Sequence, residues 1–475
     1  MMMIQAAIFV ALAASTLLAQ PSPELGEPAS DYFDRYGAWV ETIPPEQRAW
    51  GEVEAIDRAL KERTDGLRLA REPDDPDWAR SVEFVKANPD LVERVIQVSR
   101  LPYLGVPEAI LHDEEFGDEF PPGMGLVLPQ LGMLMKQSRL LVIESHLAND
   151  RGDFDRAIEC MESTRRLSGF VALSNAMMEM LVEVAMSSTT ISPVLEKQLE
   201  ISAWSEADLV RWSHMPRTPG GDRLSNAGLF EQWGFEDLIS WLYEDSEDGR
   251  LTLDGSKRMA RLVRNLDSFT DEEKSASDDS DPGFGAMFIG RMVLPKREQQ
   301  EAAARVFKAV DTDFGTKVYQ IRSFESSAAL DELIDSEFKY LPVALVAVDI
   351  RKPYVRWMMY QAEQSALDVL IAVHRYKLRH GQFPADLASI DADLLAGDPT
   401  DPYTGGPMGY RLIEGEPRIY SVGPDRDDDG GQRILDKDGR PEPWPDFLTL
   451  DKLEALDEPG RAGIDGDWVL YPAVR

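Results

Sequence analysis

The feature that most constrains this chain is a three- and four-residue spacing of apolar side chains, broken at proline and glycine, from about Asp31 to Asp349. That spacing lays apolar groups along one stripe of an α-helix, whereas a strand would alternate with a period of two. Val82, Phe84, Val85, Leu91, Val95 and Val98 make one such stripe, which Pro102 ends. The clearest block spans Leu131 to Ile191. Leu134, Leu140, Leu141, Ile143 and Leu147 precede the polar break Asn149-Asp150-Arg151-Gly152-Asp153. Phe154, Ala157, Ile158, Met161, Leu167 and Val171 resume the period, and a third stripe passes through Met177, Met180, Leu181, Val184 and Met186. Two helices joined by a short Asn/Asp/Gly turn form an antiparallel hairpin that cannot bury both faces alone, so the block predicts neighbours. No fixed period of about 34 residues runs through it, and a repeat array is not expected.

At roughly 150 residues per domain, 475 residues predict about three domains. The chain carries 50 Lys and Arg against 85 Asp and Glu, a formal charge of −35. Such a field repels phosphate backbones and anionic headgroups, so nucleic acid and peripheral membrane surfaces are not expected partners. A hydrophobic content of 43% still predicts a globular chain. With Cys160 as its single cysteine, the chain can form neither an internal disulfide nor a Cys-rich metal cluster. Residues 1–19 are uncharged and largely apolar, and a polar, proline-bearing stretch follows. They read as an export signal, or as an anchor if uncleaved, which is the one route to a membrane. The expected location is therefore the periplasm, the cell envelope or the exterior. A helical body over 20–350 is expected next, with a solvated acidic linker near 266–285 that carries Asp267, Asp271, Glu272 and Asp281.

Composition shifts after Pro353, which suits a first helical position. Val355, Met358, Met359, Ala362, Val369 and Val373 keep a helical stripe as far as Tyr376, and Gly381 stops it. A turn-rich passage, Asp398 to Gly406, leads into two alternating runs, Tyr410 to Ile413 and Arg418 to Val422. Glu414, Gly415, Glu416 and Pro417 lie between them, a hairpin signature. The fold class read from these patterns is mainly α, a multi-helix body with a small C-terminal α+β module over 351–440. The apolar tail 441–475, with Trp444, Phe447, Trp468 and Tyr471, is expected to pack on the body or the module.

The order of parts is specific. A helix is followed by His380-Gly381-Gln382-Phe383-Pro384 with Leu387, by an Asp-Pro turn, and by Tyr420-Ser421-Val422-Gly423-Pro424-Asp425 with Gly430-Gly431. This order resembles the C-terminal domain of the major pseudopilins of type II secretion, over Leu367 to Leu435. The resemblance implies a calcium loop after the Tyr-Ser strand, with Asp425 and then Asp436 among its ligands. The basic leader and assembling helix of that family have no counterpart in residues 1–20, so a pilus subunit is not expected.

The same loop can be read without any family. Asp425, Asp427 and Asp429 fall at alternate positions, Gly430 follows, and Asp436 occupies the twelfth place. Calcium takes hard oxygen ligands, and alternate spacing lets a tightly turning backbone aim several carboxylates at one centre. A solvated acidic turn is the alternative. Elsewhere, Glu244 to Gly255 resembles half of an EF-hand but reads as a helix-helix turn, with Ser246 and Gly255 at ligand places. His112, Asp113, Glu114, Glu115, Asp118 and Glu119 read as an exposed acidic loop. His146, His214, His374 and His380 read as packed or solvated, and Cys160 as core. Phosphate-loop, G-x-S-x-G and H-E-x-x-H signatures are absent, which removes the positive case for an enzyme without excluding one. The expected function is an exported, non-enzymatic helical scaffold or interaction protein with a structural calcium loop and a protein partner in the cell envelope. The alternatives are an exported hydrolase with an acidic site in the helical body and an accessory component of a secretion apparatus.

Overall fold

The computed structural model describes residues 29–70, 72–107, 110, 129–171, 177–188, 194–196, 199, 205–215, 222–270, 292–315, 325–346, 351–395, 399–423, 426–435 and 466–472. The leader 1–19, the acidic loop His112 to Glu119, the linker beyond 270 and the tail 441–465 lie outside these residues. The chain is mainly helical, with a small antiparallel sheet near the C-terminus. Among the described residues no helix is long and apolar enough to cross a membrane.

Helix α1 spans Ala29–Thr42 and α2 Trp50–Thr64. The stripe over Val82 to Val98 is divided between α3, Trp78–Ala87, and α4, Pro89–Ser99. Pro89 disfavours a helical Asn88 and offers no N–H to continue the ladder, so Asn88 leaves the helical region and Pro89 opens the next helix. The expected hairpin forms from α5, Pro129–Asp150, and α6, Phe154–Phe170. Asp153 caps α6 by accepting the Arg156 N–H at 3.2 Å. Helix α7 covers Met177–Ser188, and α8, Glu206–Ser213, starts on a reciprocal Ser205/Asp208 capping box.

A second group follows: α9 Asp222–Leu242, α10 Leu253–Thr270, α11 Lys296–Gly315, α12 Glu325–Ile334 and α13 Leu341–Val346. Helix α10 continues into the first residues of the expected linker, as far as Thr270. Asp313 of α11 caps α12 from outside, accepting the backbone N–H groups of Glu325 and Ser326 at 3.0 and 2.9 Å.

Helix α14, Arg351–His380, is about 45 Å long at 1.5 Å per residue. It starts two residues before Pro353, a placement the first turn tolerates because its N–H groups have no intrahelical partner. Gly381 closes it at φ 79°. The helix serves two large cores and, through Val355, Met359 and Ala362, a third, smaller cluster with Ile434 and Trp468. Its C-terminal half, through Ala366, Val369 and Val373, joins a core with Leu91, Leu140 and Leu167. Its N-terminal half, through Tyr354, Trp357 and Met358, joins another with Phe235, Met259 and Val306.

Strands β1, Gly409–Ile413, and β2, Glu416–Ser421, pair antiparallel, with Ile413 opposite Glu416. Their connection is the two-residue turn Glu414-Gly415, shorter than the expected four. Both residues hold positive φ, 55° and 88°, which matches the twist of a tight hairpin. Strand β3, Trp468–Tyr471, completes the order β1-β2-β3.

Candidate metal centre

The module's loops are fastened by a buried carboxylate. Asp401, 1% exposed, accepts the Tyr403 N–H, the Ser421 hydroxyl and the Val422 N–H, each at 2.9 Å. The Asp-Pro turn is thereby pinned to the end of β2. Burial still pushes the Asp401 carboxyl above the usual range, because three donors do not replace full hydration.

Beyond β2 the chain turns through the acidic loop. Asp428 Oδ1 accepts the Gly430 N–H at 2.8 Å and the Tyr420 hydroxyl at 3.0 Å. Asp429 Oδ2 accepts the Gly466 N–H at 2.9 Å, so the loop is tied to the approach of β3. Asp467 is fully buried, and its Oδ2 accepts the Gly431 N–H at 2.6 Å. Its other oxygen, Oδ1, is buried without a hydrogen-bond partner. Burial, then the negative charges of Asp428 and Asp429, push the Asp467 carboxyl up to about 6. Glycine is required at two points of this fold-back. Gly431 stands at φ 77°, where a Cβ would lie 3.2 Å from the Tyr420 ring, and Gly466 at φ 110°, where one would lie 3.0 Å from the Arg433 carbonyl.

Of the four aspartates picked out by spacing, Asp425 and Asp436 lie outside the described residues. Asp427 is exposed, and Asp429 joins the cluster. Asp428 and Asp467 were missed. Asp428 occupies an even place in a pattern read at odd places. Asp467 comes from a distant segment, one residue before β3, whose signal is the short run Trp468 to Tyr471. The donors are all hard oxygens, as calcium prefers, and an orphaned buried carboxylate oxygen fits a cation better than it fits solvent. Among the described residues no three His, Cys, Asp or Glu side chains are already drawn together tightly enough to hold a metal ion.

The remaining candidates take ordinary roles. In the EF-hand-like stretch, Asp248 accepts the Arg250 N–H at 2.9 Å, and Glu244 and Asp245 pair with Arg258 at 3.3 and 2.9 Å, as in a helix-helix turn. His146 packs edge-on against Trp78, His214 is exposed, and His380 lies 3.2 Å from Asp391. Cys160 is buried, and burial pushes its thiol far above the reactive range. A cleft of about 560 Å³ runs beside α6. Its charges pair across it, Arg100 with Glu159 at 2.6 Å and Arg211 with Asp155 at 2.7 Å. In comparisons with known proteins, no family model, no curated protein and no solved structure matches this chain.

Proposed function

We propose that the chain is an exported scaffold or interaction protein, non-enzymatic, in which a helical body carries a pseudopilin-like module closed by a structural calcium ion. The export reading rests on the apolar run at residues 1–19. The observation that carries the calcium is the Asp467 carboxylate, fully buried, with one oxygen unpartnered and the negative charges of Asp428 and Asp429 acting on it. Anions gathered in this way repel one another, and a divalent cation supplies the charge that would hold them together. Asp428, Asp429 and Asp467 would contribute carboxylate oxygens, with Asp425, Asp427 and Asp436 of the loop as further candidates. The role is structural, because the ion would join the loop to β3.

The scaffold reading is also favoured over a hydrolase by where Glu231 and Asp237, two carboxyls of α9 raised by burial, lie. Burial pushes both upward, Asp237 to about 6, yet Glu231 accepts the Met177 N–H at 3.1 Å and neither carboxyl lines the cleft beside α6.

Thermal melting of the chelator-treated chain, with and without calcium, tests the proposal together with a calorimetric titration. Calcium at tenfold over its dissociation constant should add about 1.4 kcal/mol, and at a thousandfold about 4 kcal/mol. Asp467→Asn should abolish both the gain and the heat. Equal midpoints and no heat for the natural chain would remove calcium from the account.

A further inference from the structure

We propose that a cation at the aspartate loop controls the seating of Trp468 on α14, so that ion binding tightens the join between the module and the helix shared by the two cores. The proposal rests on the calcium reading above and adds a consequence for the rest of the molecule. Asp467 directly precedes Trp468, the first residue of β3, and is itself bridged to Arg433, and in extended backbone consecutive side chains point to opposite faces. One face carries the Asp467 carboxylate, whose Oδ1 is unpartnered and whose Oδ2 holds the Gly431 N–H of the loop that bears Asp428 and Asp429. On the other, Trp468 is 3% exposed and packs with Val355, Met359 and Ala362 of α14 and with Ile434 of the loop's far end.

The connection between the two faces is stiff. The Asp467 N–H donates to the Gln432 carbonyl at 2.6 Å, and Gly466 has no room for a side chain against the Arg433 backbone. The Gly431 and Gly466 N–H groups are each held by a carboxylate of the cluster, Asp467 and Asp429. A displacement of Asp467 relative to the loop therefore cannot be absorbed between it and the indole one residue later. Val355 and Met359 lie on the turns of α14 that also carry Tyr354, Trp357 and Met358 into one of the two cores. Repulsion among the carboxylates without an ion would loosen the indole from those turns. A bound cation would press it home.

Hydrogen exchange on the full chain, stripped with chelator and then supplied with calcium chloride, reads this directly, with calorimetry in parallel to report binding. Calcium should slow exchange at least tenfold both in 468–471 and in 351–365. In Trp468→Leu, the heat of binding and the slowing at 468–471 should persist, while the slowing at 351–365 falls to less than twofold. Asp467→Asn, which leaves the indole in place, should lose binding and both protections, and it serves should Trp468→Leu not fold. Calcium binding that leaves 351–365 unchanged in the natural chain would overturn the coupling and leave the calcium reading standing. Absence of binding would overturn both. Full protection of 351–365 in folded Trp468→Leu would show that the route does not pass through the indole.

Discussion

At the scale of single residues, His374 shows how the module's packing imposes a pH limit. Its ring meets Phe383 and Tyr471 edge-on, at 5.3 and 6.3 Å between centroids, and Nε2 is buried without a partner. Burial, and then the positive charge of Lys377, lower its pKa from the ordinary 6.5 to about 4. A folded pKa below the unfolded one means that the unfolded chain binds the proton more readily. The neutral ring's contribution is thus fully present above pH 6.5 and is lost as pH falls from there through 4. Near pH 4.5 the loss should be about 2 to 3 kcal/mol relative to neutral pH. Asp401 and Asp467 run the other way, since carboxyls raised by folding stabilise most at low pH, so total stability against pH cannot isolate the histidine. The difference between the natural chain and His374→Leu can. Urea unfolding at pH 7 and 4.5 should show the variant losing about 2 to 3 kcal/mol less over that interval; parallel losses would contradict the assignment.

At the scale of elements, the glycines of the module sort into those that only turn the chain and those that also admit a neighbour. Gly415 in the hairpin turn has φ 88° and open space around it, whereas Gly466 combines φ 110° with an Arg433 backbone only 3.0 Å from where a Cβ would stand. Gly415→Ala should therefore cost about 1 kcal/mol from conformation alone. Gly466→Ala adds a backbone clash and displaces the N–H bound to Asp429, for about 2 to 4 kcal/mol in all. Denaturant midpoints should rank Gly466→Ala well below Gly415→Ala, and the reverse order would mean that β3 is not held as described. The same elements explain what could be read in the sequence. The α5–α6 hairpin was legible because its stripe and its Asn/Asp/Gly break are local. The break at Pro89 was equally local, but an apolar stripe running across it hid the boundary. The two-residue hairpin turn was masked because Glu416 and Pro417, turn-like in composition, pair as strand opposite Ile413 and Leu412. Asp467 was out of reach because long-range strand pairing brings it to the loop, and no spacing rule spans that distance.

At the scale of the whole molecule, the question is whether two hydrophobic cores amount to two independent units. Three features argue that they unfold together. Helix α14 contributes Trp357 and Met358 to one core and Val369 and Val373 to the other, with no break in its ladder. Between these halves, buried Arg165 of α6 donates to the Tyr360 hydroxyl at 2.9 Å and to the Gln364 side chain at 2.6 Å, so an element of the first core grips the helix at its midpoint. The module repeats the bridge, placing Met408 and Ile419 in the first core and Tyr403 and Val422 in the second. Separating the cores would either break α14 or expose its apolar face, and would cost the buried Arg165 guanidinium two of its acceptors. Met358→Ala, a truncation confined to the second core, should cost about 2 to 5 kcal/mol. If unfolding is cooperative, that loss reaches the α5–α6 hairpin, whose slowest amides should exchange about 30-fold faster or more, matching the acceleration in α9 and α11. Natural protection in α5 and α6 alongside accelerated exchange in α9 and α11 would establish two separately melting units. It would also confine the influence of the aspartate loop, acting through Val355 and Met359, to the second of them.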